Sequence, residues 1–239
     1  WAAHLGHLAV VILVLFQHSF FPNNNKCSWA QREIDYLGHI ISKHGVSMDP
    51  TKIQAVLDLP RPSTVKGVRG FLSLTSYYQK SIRNYGKIVQ PLPALTKRDN
   101  FHWNADVSQA LDSLKHHITT APVLALPDFS AQFQIECDAS GRGVGVVLMQ
   151  NRRPIAFFSK ALAAEHLAKS TYDKEIMALA LAIQHWRPYL FGQPFTVFSD
   201  HRSLKYLLQQ RITTADQQCW ISKLLGFQFD VRFKPGHQN

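Results

Sequence analysis

Three carboxylates, Asp138, Glu175 and Asp200, stand where their chemistry can converge. Asp138 closes the alternating run Phe133-Gln134-Ile135-Glu136-Cys137 and is followed by Ala139-Ser140-Gly141. Asp200 closes a second apolar run, Phe195-Thr196-Val197-Phe198-Ser199, and Glu175 lies on an amphipathic helical stretch between the two. A strand, a helix and a strand can bring all three to one edge of a sheet. Clustered acids repel one another without cations, and Mg²⁺ prefers hard oxygen ligands. Two Mg²⁺ ions about 3.5–4 Å apart activate a water and stabilise the leaving oxygen in phosphodiester cleavage.

The elements that must position these acids are readable from pattern. Strand-like runs fall at 132–138, 143–150 and 154–158, with Gly141, Gly143 and Gly145 giving tight turning and close packing. A helix over 168–186 places Tyr172, Ile176, Leu179, Ile183 and Trp186 on one stripe, with Glu175 at its edge and Pro188 as its stop. After Asp200 come a short helix over 204–209 and a helix opened by a Thr214-x-x-Gln217 capping box. A last strand covers 227–233. The order βββαβααβ predicts a mixed sheet flanked by helices, an α/β layer architecture.

Upstream, the reading is mainly helical. Residues 1–21 form one apolar helix, expected to be buried, which Pro22-Asn23-Asn24-Asn25 breaks. Residues 34–41 read as a strand. Asp49-Pro50 is a cap followed by Pro at the first helical position, and Ser63 is the expected cap of the next helix. Another helix covers 106–119.

With 239 residues, 46% of them hydrophobic and 18% charged, the chain can bury a core and is not disordered. Its net charge of +10 is shared between the two halves and points to a polyanionic partner. Cys27, Cys137 and Cys219 imply no disulfide framework. The apolar run 8–16 is about half a membrane span and lacks the basic flank of a signal peptide, so no membrane partner is expected. The start at Trp1 and the end at Asn239 read as those of a fragment.

From about residue 26 onward the chain resembles the pol polyprotein of Ty3/gypsy-type long-terminal-repeat retrotransposons. The stretches that carry this are Tyr36-Leu37-Gly38-His39-Ile40-Ile41-Ser42, Arg69-Gly70-Phe71-Leu72, Asn84-Tyr85-Gly86 and Thr120-Ala121-Pro122-Val123-Leu124. Further on come Asp138-Ala139-Ser140, Pro154-Ile155-Ala156-Phe157-Phe158-Ser159-Lys160, Tyr172-Asp173-Lys174-Glu175, Asp200-His201 and Ser203-Leu204-Lys205-Tyr206-Leu207. The resemblance implies a remnant of the reverse-transcriptase palm in 1–43, a thumb/connection segment in 44–122 and an RNase H-like domain in 123–239.

By that resemblance Asp138, Glu175 and Asp200 are three of four metal-binding carboxylates of an RNase H, with Asp138 bridging two Mg²⁺ ions. The fourth lies on a helix beyond Asn239. The implied reaction is endonucleolytic hydrolysis of RNA in an RNA–DNA hybrid, selected through 2′-OH contacts and groove shape. Ser140 and the backbone at Gly141 would lie along the nucleic-acid path, and Lys160, Arg202 and Lys205 would touch phosphate. His201 fits either a phosphate contact or local packing. Trp186, Tyr189, Trp220 and Phe227, at helical and strand spacing, read as core. The rest of a pol polyprotein is an implied partner, and cytoplasmic particles or the nucleus an implied location. No Tyr-x-Asp-Asp polymerase motif is present. Three rival readings are a nucleic-acid-binding remnant without catalysis, a strand-transferring integrase or transposase, and a relic without function. The Asp-Ala-Ser and Tyr-x-x-Glu contexts argue against the integrase.

Overall fold

The computed structural model describes residues 1–97, 101–140, 143–201, 204 and 214–235, with the side chains of 138–140, 164 and 165 outside the description. Residues 1–34 and 35–239 make two separate compact units.

In the first unit α1 (Ala2–Gln17) is a 16-residue helix with no buried residue. The expectation of a buried helix fails here: a unit of this size buries too little surface to enclose it, and even Phe21, which meets Phe16, leaves the helix open. Among the described residues no helix is long and apolar enough to cross a membrane. Strand β1 (Glu33–Tyr36) falls at the boundary between the units.

The second unit begins with an antiparallel hairpin of β2 (His39–Ser42) and β3 (Gly45–Met48). The single strand expected over 34–41 is therefore two, broken at Leu37 and Gly38, whose φ angles are 49° and 71°. Two phenols hold that break. Tyr77 donates to the Leu37 carbonyl at 2.6 Å and Tyr78 to the Gly38 carbonyl at 3.2 Å. Strand-favouring residues on both sides of the turn, Ile34 and Tyr36 before it and Ile40 and Ile41 after it, hide it from sequence. Gly45, at φ 130°, lets Val46 pair with Leu124, since a β-carbon on Gly45 would fall onto the Leu124 carbonyl.

Helices α2 (Pro50–Asp58), α3 (Val65–Ser76), α4 (Tyr85–Ile88) and α5 (Ala105–Thr119) follow. Asp49 caps α2 as expected, accepting the Thr51 amide at 2.8 Å. Thr64 caps α3, not Ser63, by accepting the Gly67 amide at 3.1 Å. Both residues suit the role, and the chain makes its turn one position later. Lys115 of α5 donates to the carbonyls of Leu57 and Leu59 at 2.8 and 2.6 Å, tying α5 to the end of α2. These helices share a core of Val56, Val68, Phe71, Ile82, Leu92, Leu95, Leu114 and Ile118.

The five-stranded sheet is built from β4 (Gln134–Ser140), β5 (Gly143–Gln150), β6 (Arg153–Ala161), β7 (Phe195–Ser199) and β8 (Phe229–Phe233). Its order is β6-β5-β4-β7-β8, antiparallel from β6 to β4 and parallel from β4 to β8. This is the mixed sheet that the sequence predicts, with β8 starting two residues late. Pro154 lies on edge strand β6, where its missing N–H costs no ladder bond, and its carbonyl accepts from Ala125 at 2.7 Å.

Helices α6 (Ala164–Leu167), α7 (Thr171–His185), α8 (Arg187–Leu190) and α9 (Ala215–Ser222) complete the described elements. The helix expected over 168–186 is α7 and starts later, because Ser170 caps it through the Asp173 amide at 3.1 Å. α7 ends at His185, three residues before Pro188. That proline sits in the first turn of α8, where a backbone N–H would have no helical partner. Ile176, Leu179 and Ile183 of α7 bury fully against Ile135, Cys137, Val146, Leu148 and Val197 of the sheet. Each such side chain contributes about 1.5–3 kcal/mol. Trp186 belongs to this core, and Tyr189, Trp220 and Phe227 pack against it, as their spacing indicates. The helix expected over 204–209 lies outside the described residues, apart from Leu204.

Candidate active site at the sheet edge

Parallel pairing sets the geometry of the acidic edge. Gln134 is level with Thr196, Ile135 with Val197 and Glu136 with Phe198. Asp138 lies two residues beyond the last of these pairs on β4, and Asp200 two residues beyond it on the β7 side, in the turn that follows β7. Across the other ladder Asp138 pairs with Gly145 of β5. Asp200 is exposed, just past the end of β7.

Glu175 comes to the same region from α7, which packs on β4. It is only 1% exposed. A carboxylate buried that deeply needs hydrogen bonds to offset lost hydration. One of them comes from Ser199, whose hydroxyl donates to Glu175 Oε2 at 3.3 Å. The same hydroxyl accepts the backbone N–H of His201 at 3.0 Å. One oxygen thus links the helix acid to the turn that carries Asp200.

The first turn of α7 is fastened from several sides. Ser170 Oγ donates to Asp173 Oδ2 at 2.6 Å, and Gln217 Nε2 donates to Asp173 Oδ1 at 3.0 Å. Burial alone would raise the Asp173 pKa. The bonds from Ser170 and Gln217, with the charge of Lys169, outweigh it and hold this carboxyl below its usual range. Lys169 also pairs with Asp216, and Gln184 reaches the Lys223 carbonyl at 2.7 Å, so α9 is pinned to α7 at both ends. Half of the predicted capping box is present: Thr214 accepts the Gln217 amide at 3.2 Å, while the Gln217 side chain serves Asp173. Tyr172 faces the His201 ring at 5.5 Å, and burial, followed by the Asp173 charge, raises its phenol pKa. For His201 the described contacts are therefore local ones.

Of the other expected site residues, Lys160 is exposed on β6. Ser140 ends β4, with its side chain outside the description, and Gly141, Arg202 and Lys205 lie outside the described residues altogether. Among the described residues, which leave out the Asp138 side chain, no three His, Cys, Asp or Glu side chains gather to hold a metal.

Two residues escaped the sequence reading. Ser199 had a signal, since alternation along Phe195, Val197 and Ser199 puts it on the helix-facing side. Lys87 had none. Only the fold brings α4 across β5 and β6, where Gly86 N donates to Ser159 Oγ at 2.7 Å. Lys87 Nζ then lies 3.7 Å from where a β-carbon on Gly145 would stand, beside the strand position opposite Asp138.

Residues 128–227 match the model of the RNase H-like domain found in reverse transcriptase. The retrovirus-related Pol polyprotein of transposon 297 from Drosophila melanogaster is 34% identical over 99% of this chain, which spans 22% of that polyprotein. An uncharacterised mitochondrial protein of Arabidopsis thaliana is 45% identical over 54% of this chain and 83% of its own length. A foamy viral protease–reverse transcriptase solved in complex with an RNA/DNA hybrid superposes with a TM-score of 0.84 at 19% identity, covering 100% of this chain and 34% of that one. At that identity the likeness establishes the fold, a mixed sheet flanked by helices. The chain amounts to under a quarter of the transposon polyprotein it matches.

Proposed function

The chain belongs to the retrovirus-related Pol polyproteins of long-terminal-repeat retrotransposons, and from that premise we propose that its acidic sheet edge is a metal-dependent ribonuclease site for RNA–DNA hybrids. The observation that carries this reading is the Ser199 hydroxyl, which ties buried Glu175 to the turn that carries Asp200, on the strand neighbouring that of Asp138. Three carboxylates on a strand, a strand-end turn and a helix are a hard-oxygen donor set, which suits Mg²⁺. When bound, Mg²⁺ supplies an activated water and charge stabilisation at the leaving oxygen.

In this reading Asp138 and Asp200 would hold the metal, and Glu175 would complete the donor set from α7. Lys160 on β6 and Lys87 on α4 steer the phosphate backbone. By the resemblance, Ser140 and Gly141 would lie along the nucleic-acid path, and Arg202 and Lys205 would touch phosphate. His201 keeps Tyr172 in place. The hybrid is the proposed partner because the chain carries +10 net charge and a structural relative was solved holding such a hybrid. The remainder of a Pol polypeptide is the second proposed partner, since the relatives extend far beyond the matched stretch.

The test uses the chain with hybrid, single-stranded RNA and DNA duplex, each end-labelled, in Mg²⁺ and in EDTA. Internal cleavage of the RNA strand of the hybrid alone, abolished by EDTA, is the expected result. EDTA-resistant cleavage, or equal cutting of free RNA, would overturn the assignment. Binding of the hybrid without cleavage would favour a non-catalytic role.

A further inference from the structure

We propose that Ser199 is a positioning residue of this site, its hydroxyl setting both the Glu175 carboxylate and the turn that carries Asp200. The inference rests on the metal-site reading above and concerns a residue outside the carboxylate set. Ser199 is fully buried, at 0% exposure. Its oxygen accepts the His201 N–H at 3.0 Å while its proton goes to Glu175 Oε2 at 3.3 Å. A hydroxyl has one proton to give, so this arrangement keeps that Glu175 oxygen an acceptor. The backbone of Ser199 is held as well, its carbonyl accepting the Lys234 N–H at 2.9 Å just beyond β8.

Residue 199 is therefore a junction of β7, the end of β8, α7 and the Asp200 turn. Removing the hydroxyl takes away the bond to the His201 amide and the bond to Glu175 Oε2 at once. The two ligand-bearing elements then lose their shared reference point while the sheet ladder stays intact. Groups that orient metal ligands from behind carry a large share of metal affinity, and their loss costs about 10–100-fold.

The experiment compares the full chain with Ser199→Ala and Ser199→Thr in two readouts. Mn²⁺ binding, the metal alone, is followed by calorimetry, and exchange of the His201 amide is followed by NMR. Thermal melting by circular dichroism accompanies both. Ser199→Ala is expected to bind Mn²⁺ about 10-fold more weakly and to exchange the His201 amide faster. Ser199→Thr, which keeps the hydroxyl, is expected to restore both. Should the alanine variant fail to fold, Ser199→Cys, a weaker donor of similar shape, takes its place.

Unchanged Mn²⁺ affinity together with unchanged His201 exchange in Ser199→Ala overturns the proposal. So does equal loss in the threonine variant with a normal melting curve. If no version binds Mn²⁺ yet the exchange readout responds as described, the metal-site reading fails and the hydroxyl junction stands.

Discussion

The seating of α4 on the sheet can be tested by making one substitution at two places. A β-carbon added at Gly86 would lie 3.0 Å from the carbonyl carbon and oxygen of Ser159 and 3.1 Å from Lys160 N. These are backbone atoms of β6, and no side-chain rotation relieves them. Alanine there must lift α4 by a few tenths of an ångström and stretch the 2.7 Å bond from Gly86 N to Ser159 Oγ. Overpacking of this kind costs about 1–3 kcal/mol. The weakened hydrogen bond adds about 0.5–1.5 kcal/mol. Better helix propensity returns about 0.5–1 kcal/mol. The net cost is about 2 kcal/mol, which lowers Tm by about 4–8 °C for a unit of this size. Gly70, exposed on α3, has nothing within 4 Å of its β-position. There alanine gains the propensity alone and stabilises by about 0.5–1 kcal/mol. Urea and thermal unfolding of the two variants should thus give shifts of opposite sign. Equal shifts of the same sign would refute the close approach of α4 to β6, and with it the placement of Lys87.

Glu175→Gln keeps the shape of the side chain and its bond from Ser199, so melting should shift by no more than a few degrees. Hybrid cleavage in Mg²⁺ should fall by at least about 10-fold, as measured by single-turnover assay. For Asp173, whose carboxyl is held below its ordinary 3.8, the stabilising contribution is present above that value and vanishes as the pH falls through the folded pKa. The stability gap between the chain and Asp173→Asn should therefore close on acidification below 3.8, and a gap that widens there would contradict the sign. Hybrid binding should weaken about 100-fold between 50 and 200 mM salt if about four phosphates are neutralised, with little dependence on base sequence. A flat salt titration would remove the phosphate contacts from the account.

Much of the sheet was legible because its strands end in strong punctuation. Strand β5 matches its expected span, bounded by Gly143 and Gln150, and caps such as Asp49 and Thr214 sit where side-chain chemistry demands. What stayed hidden has physical reasons. The turn at Leu37 and Gly38 interrupts a run of strand-favouring residues, and the phenols that hold it lie 40 residues away in sequence. The start of α7 depends on which of several eligible residues turns the chain, and Ser170 does so through a local bond. The elements that carry Asp138, Glu175 and Asp200 were legible from pattern, although β4 runs two residues past Asp138 and Glu175 is buried. Alternation along β7 gives the side on which Ser199 faces, but its two bonds depend on α7 and the Asp200 turn and are not written in the strand. Lys87 depends on a long-range contact that no local pattern encodes.

The most direct test of the central claim is single-turnover cleavage of a labelled RNA–DNA hybrid in Mg²⁺ by the chain, by Asp138→Asn, and by a version extended with the helix that the family resemblance places after Asn239. The account predicts RNA-strand cleavage that Asp138→Asn abolishes, with the extended version faster. Cleavage undiminished in Asp138→Asn, or none in either the chain or its extended version, would contradict it.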